Sequence, residues 1–229
     1  MNTVLLADFA NHAIHEATTH WWSGALRGAP TPAPRRTRGQ AAPQGDAGGQ
    51  RLAARLDAIL DDNWTLICGH RNSGGRLGHI LVGPRGVMTL ACTAVHGRVH
   101  CDGVRWRRDK FDLYNNLVER DAPVPGDLAG TLYQASACLR HVLLEHTSIR
   151  QVALALVFTH HAATLGTIRH GQLTMVSLLP ELKTATLLQA MSGHPDHRTI
   201  DGVVEVIRHE HERGMRQAEK KGRSARPCP

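Results

Sequence analysis

The sequence predicts an α/β fold in which a mixed β-sheet is flanked by helices, with further helices added at both chain ends. Three observations carry this. Helical and strand periodicities alternate along the chain, as an α/β domain requires. Two short aliphatic runs, Leu77–Val82 and Val87–Cys92, are joined by Gly83-Pro84-Arg85-Gly86, residues suited to a tight turn. The segment Val152–Phe158 is apolar without interruption, as a strand covered on both faces must be.

Residues 1–27 read as an N-terminal helical segment: Leu5, Leu6, Phe9 and Ile14 fall near helical spacing, and Trp21-Trp22 can dock onto a larger body. Residues 28–48 are rich in proline, glycine and arginine, which cannot build a core, and read as a flexible linker. The domain proper is expected over 49–180. Its first helix is Arg51–Leu60, with Leu52, Leu56, Ile59 and Leu60 on one face. Strands follow at Thr65–His70, Leu77–Val82 and Val87–Cys92. Arg98–Cys101 and Val104–Arg107 then flank Asp102-Gly103, a strong hairpin signal. Residues 109–129 read as loop, because Pro123, Pro125 and Gly126 lie within them. Leu132–Leu144 is a helix, and Val152–Phe158 and Leu173–Leu178 are strands, all expected around one mixed sheet. Residues 181–229 read as C-terminal helices, Glu181–Met191 and Val203 to about Glu219, followed by a basic tail.

The net charge of +7 in 229 residues is spread along the chain, which permits binding to a polyanion without requiring it. Of 27 cationic residues only Lys110, Lys183, Lys220 and Lys221 are lysines, a bias that points to a GC-rich gene of bacterial or mobile-element origin. The five cysteines (Cys68, Cys92, Cys101, Cys138, Cys228) form no Cys-x-x-Cys pair and read as reduced thiols. No secretory signal is legible, and Val152–Phe158, the longest apolar run, is far too short to span a bilayer. A soluble, cytoplasmic protein without membrane contact is expected.

The stretch Gly75-Arg-Leu-Gly-His-Ile-Leu-Val-Gly-Pro-Arg-Gly-Val-Met-Thr-Leu-Ala-Cys-Thr, followed by His-Gly-Arg-Val and Asp-Gly-Val-Arg-Trp, resembles the nuclease-related domain (NERD) family. That family belongs to the restriction-endonuclease-like (PD-(D/E)xK) superfamily. The resemblance covers roughly residues 48–180, and its most specific part is the Gly-Pro-x-Gly-Val turn with the hairpin after it. It implies a restriction-endonuclease-like fold. In that superfamily carboxylates at the ends of neighbouring strands hold Mg²⁺, which demands hard oxygen ligands, and a lysine adds a fixed positive charge at the scissile phosphate. Here the helix glutamate of the family falls on Gln50, the metal-binding aspartate on Gly78, and the Glu-x-Lys pair on Ala91 and Thr93. Those groups are absent while the surrounding scaffold remains: His79, Gly83, Pro84, Gly86, Val87, Gly97 and the helix residue Gln134.

Other constellations carry less. Among sixteen histidines, His209 and His211 are two apart, whereas a helical zinc pair needs four. The clusters His160-His161 and His194–His197 read as polar loops, and His141 with Glu145 as a helix-surface pair. Cys92 lies between the vacated positions, with His79 as its only plausible base, and reads as a small packed thiol. Arg105, Arg107, Arg108 and Lys110 form the candidate nucleic-acid-binding edge, with Arg105 and Arg107 on one strand face and Trp106 between them. The expected function is therefore that of a catalytically inactive nuclease-like protein that acts by binding, as an accessory or inhibitory (fertility-inhibition-type) factor of a plasmid or other mobile element. The expected partner is nucleic acid or a protein of the host or mobile element, with no cofactor and no metal. Two other classes stay open: a metal-dependent nuclease with carboxylates relocated to Asp102, Asp109 or Asp112, and a protein–protein interaction module.

Overall fold

The computed structural model describes residues 4–5, 47–124, 128–191 and 197–224. In chain order the elements are β1 (Val4–Leu5), α1 (Ala47–Ile59), β2 (Thr65–Asn72), β3 (Gly75–Gly83), β4 (Gly86–Thr93), β5 (Gly97–Asp102), β6 (Arg105–Phe111) and β7 (Leu117–Pro123). There follow α2 (Gly130–His146), β8 (Val152–Phe158), β9 (Ala163–Arg169), β10 (Met175–Leu178), α3 (Thr184–Ala190) and α4 (His197–Ser224). The α/β expectation holds, but the single sheet does not. Six strands form one mixed sheet in the order β1-β10-β8-β4-β3-β2, and four form a second in the order β7-β6-β5-β9.

The large sheet explains the uninterrupted apolar character of β8. One of its faces buries Leu81, Met88, Leu90, Ala155, Val157 and Met175 against Leu52 and Leu56 of α1 and Leu187 of α3. The other packs Ile80, Val82, Val87, Leu156, Phe158 and Val176 against α2, α4 and the inner face of the small sheet. Strand β8 is parallel to both β4 and β10, whereas β2, β3 and β4 form an antiparallel meander. The turn between β3 and β4 pairs Gly83 with Gly86 as expected. Glycine is required at Gly83 by packing, because a Cβ there would stand 2.1 Å from the Trp64 ring.

Other expectations are corrected as well. The segment 109–129 is loop only in part: β6 runs on to Phe111 and β7 (Leu117–Pro123) pairs with it antiparallel, with register shifts, while residues 125–127 lie outside the described residues. The strand β9 was not foreseen, since a bulge opposite Val99–Cys101 interrupts the alternation of Ala163, Leu165 and Ile168. Within the N-terminal segment expected to be helical, Val4–Leu5 is a strand antiparallel to β10. The remainder of that segment and the linker up to residue 46 lie outside the described residues. At the other end α4 starts six residues earlier than expected, and Ile200, Val203, Val204 and Ile207 enter the core.

Helix α4 also closes the free edge of β2. Gly214 lies so close to Arg71 that a Cβ would stand 2.4 Å from its carbonyl oxygen, and His211 Nδ1 accepts the Arg71 N–H at 3.1 Å. Beneath this contact His70 is 1% exposed. Burial, and secondarily the neighbouring His211, lower its pKa from 6.5 to about 4. The charged groups of α4 at this level, Glu210 and Arg213, are paired with each other.

Two outcomes are expected. Gly83→Ala should cost about 1–3 kcal/mol in urea denaturation, because the indole must move, whereas Gly171→Ala, with open space around it, should change little. For His70 the folded state prefers the neutral ring. Its contribution is complete above the unfolded pKa of 6.5 and is lost as pH falls from there towards 4, about 3 kcal/mol in all. His70→Phe should flatten the stability–pH curve across that window; an unchanged slope would show that His70 is not its source.

Candidate functional site

The meander brings together Gly78, Ala91 and Thr93, the strand positions singled out by the resemblance. Gly78 lies one step beyond the paired residues His79 and Leu90, opposite Ala91, and alternation places Thr93 on the same face. Gly78 is exposed, and a Cβ there would make only an ordinary contact with the Leu90 carbonyl at 3.7 Å. Ala91 and Thr93 are half-buried and pair with Leu156 and Phe158. The Thr93 hydroxyl accepts the Val95 N–H at 3.4 Å, and its carbonyl accepts both the N–H and the hydroxyl of Thr159, at 2.8 and 3.1 Å. Deeper on this face the hydroxyls of Thr89 and Ser136 hydrogen-bond each other at 2.6 Å.

Gln50 and Gln134 do not complete that group. Gln50 is exposed on α1, the helix that packs on the opposite face of the sheet. Gln134 is exposed on α2, where it lines a groove of about 480 Å³ with Val104, Tyr133 and His170. Cys92 likewise packs on the α1 side. The acids considered for a relocated metal site belong to the small sheet and its outer hairpin. Asp102 is exposed at the β5–β6 turn, where Gly103 adopts a φ of 62°. Asp109 accepts the Asp121 N–H at 3.1 Å, the first cause of its lowered pKa. Asp112 accepts the Asn116 side chain at 3.0 Å and the N–H groups of Tyr114 and Asn116 at 2.9 and 2.8 Å, and these bonds hold its carboxyl below the usual range. Among the described residues no group of three or more His, Cys, Asp or Glu is arranged to hold a metal ion.

The expected basic edge divides. Arg105 and Arg107 line an open cleft of about 350 Å³ on the outer face of the small sheet, together with Arg169, His100, Thr167, Asp102 and Asp121. Among the described residues none of the three guanidinium groups makes a hydrogen bond or ion pair, although the Arg169 carbonyl accepts the Gly103 N–H at 2.8 Å. Arg108 faces the other way, where its guanidinium donates to the His96 carbonyl at 3.4 Å, and Lys110 is ion-paired with Glu119. Trp106 is turned into the core against Phe158 and His170, so it offers no stacking surface to a base. Arg169 was missed because β9 was missed. Its one local signal is the register that sets it beside Asp102.

The floor of the cleft depends on the β9 bulge. His100 lies over Gly166, where a Cβ would meet the imidazole at 2.3 Å. Its Nδ1 accepts the Thr167 N–H at 3.2 Å, so the neutral ring carries its proton on Nε2, 3.4 Å from the Asp109 carboxylate. Asp121, which closes the other side, has a left-handed φ of 54°, a conformation that only surrounding structure sustains in a non-glycine residue. Gly166→Ala should therefore displace His100. The expected result is a melting temperature lower by several degrees and loss of the His100–Asp109 contact, read from the His100 ring resonances; an unperturbed ring would contradict this packing.

No protein-family model, curated protein or solved structure matches this chain, so the resemblance to nuclease-related domains rests on its own residues.

Proposed function

We propose that this protein is a catalytically inactive, nuclease-like binding protein that holds nucleic acid by its phosphates at the arginine cleft of the small sheet. The observation that carries the reading is the convergence of Arg105, Arg107 and Arg169, unpaired, on one open concavity. Arginine forks match phosphate oxygens bidentately, and contacts of this kind position a nucleic acid without reading its sequence. Support for a restriction-endonuclease-like ancestry comes from the mixed sheet in which the meander β2-β3-β4 is followed, after β5–β7 and α2, by β8 parallel to β4. Gly78, Ala91 and Thr93 share a face that offers no carboxylate or amine at those positions, which favours binding over cleavage. An accessory or inhibitory factor of a plasmid or other mobile element remains the setting proposed for such a protein.

A second reading, a protein–protein interaction module, draws on the β6–β7 hairpin. Asp112 organises its tip, and Leu113, Tyr114 and Val118 are exposed there. A relocated metal site receives no comparable support, since Asp109 and Asp112 are both engaged in building this hairpin.

Binding to a short oligonucleotide at increasing salt discriminates between the readings. Three phosphate contacts give a slope of about −2 to −3 in log K against log salt, and Arg105→Ala with Arg107→Ala should make it shallower by about 1 to 2. No cleavage is expected with Mg²⁺ or Mn²⁺. An unchanged slope in the double variant would remove the cleft from the interface, and cleavage lost on mutating Asp102, Asp109 or Asp112 would restore the enzyme reading.

A further inference from the structure

The chain makes the same parallel pairing twice. Val87–Thr93 pairs with Val152–Phe158 in the large sheet, and Gly97–Asp102 then pairs with Ala163–Arg169 in the small one. Between the two ladders lies a seam, residues 94–96 on one side and 159–162 on the other. It is closed by Thr159 N–H to the Thr93 carbonyl at 2.8 Å and by Gly97 N–H to the Ala162 carbonyl at 3.1 Å. Gly97, with φ of 91°, admits no side chain, because a Cβ would stand 2.3 Å from the Asp109 carbonyl.

Three imidazoles gather at this seam. The His96 and His160 ring centroids are 5.2 Å apart, and His161 stacks on His160 at 4.5 Å. The Arg108 guanidinium reaches His96 Nδ1 at 3.5 Å. His160 Nδ1 accepts the Ala162 N–H at 3.1 Å, which leaves Nε2 of the neutral ring as a donor and not as a metal ligand. We infer that His96, His160, His161 and Arg108 form a proton-gated site for a phosphate-type oxyanion, separate from the arginine cleft.

The electrostatics agree with the geometry. After burial, the influences that lower the His160 pKa are His161, His96 and Arg51 of α1, with no acid among them. Like charges crowded in this way oppose protonation, and a bound oxyanion reverses that balance by favouring the charged imidazoles. The ligand therefore binds more tightly as pH falls and raises the histidine pKa values in turn.

Sulfate, which keeps its double charge throughout, is the probe, followed by the histidine ring resonances and by calorimetry at about pH 6 and about pH 8. Sulfate should shift the rings of His96, His160 and His161 and bind about tenfold or more tightly at the lower pH, equivalent to about 1.4 kcal/mol. His160→Gln with His161→Gln should abolish this, Arg108→Gln should weaken it, and Arg105→Ala with Arg107→Ala should leave it intact. Competition by a short oligonucleotide would identify backbone phosphate as the source of the oxyanion, and its absence a free ion; both support the site. Rings that do not respond, equal affinity at the two pH values, or full binding by a folded His160→Gln, His161→Gln variant would overturn it.

Discussion

The parallel contact between β4 and β8 is the constraint on which the other packing rests. These two strands stand at the centre of the large sheet, and their seven-residue register joins segments more than sixty positions apart in sequence. Both faces of the pair must be covered, because its side chains are apolar on each, and that demand places α1 and α3 on one side and α2, α4 and the small sheet on the other. Continuation of the same two segments into β5 and β9 then creates the second sheet. A displacement of one residue in the central ladder would turn every buried side chain of β8 towards the wrong layer. The arginine cleft and the histidine seam are consequences of this doubled pairing, since each collects residues from both segments.

The central architecture was legible because its physics is local and repetitive. Aliphatic runs bounded by glycine and proline marked β3 and β4, and the unbroken run at Val152–Phe158 marked a strand buried on both faces. What was illegible is charged or irregular. Strand β7, Leu-Val-Glu-Arg-Asp-Ala-Pro, lies at an open edge and shows little apolar alternation, which is how edge strands avoid pairing with other chains. In β9 the extra residue at Gly166–Thr167 shifts the inward-facing positions, so a period of two fails where His100 needs space. Helix α1 hid its start because Ala47-Gly48 reads as linker and the helical pattern begins only at Arg51; Gly48 and Gly49 are both buried in the structure.

The candidate sites divide along the same line. Gly78, Ala91 and Thr93 share one face through strand alternation together with the register that the tight Gly83–Gly86 turn sets, and alternation alone gives the common direction of Arg105 and Arg107. The opposite direction of Arg108 also followed, but not what it meets. His96 and His160 are brought together only by the parallel ladder, and neither has a neighbour in sequence that signals the contact. Arg169 joins the cleft for the same reason. The absence of carboxylate and amine side chains at Gly78, Ala91 and Thr93 and the assembly of cationic groups elsewhere on the fold are thus separate features of one scaffold, the first visible in sequence and the second only in three dimensions.

The most direct test is amide hydrogen exchange with and without a short oligodeoxythymidine, at a pH of about 8 where unperturbed imidazoles are neutral. Binding through the arginine cleft predicts slower exchange in β5, β6 and β9, around Arg105, Arg107 and Arg169, with the face carrying Gly78, Ala91 and Thr93 unaltered. Protection confined to that face or to the Leu113–Val118 tip, or no protection while binding is saturated, would contradict it.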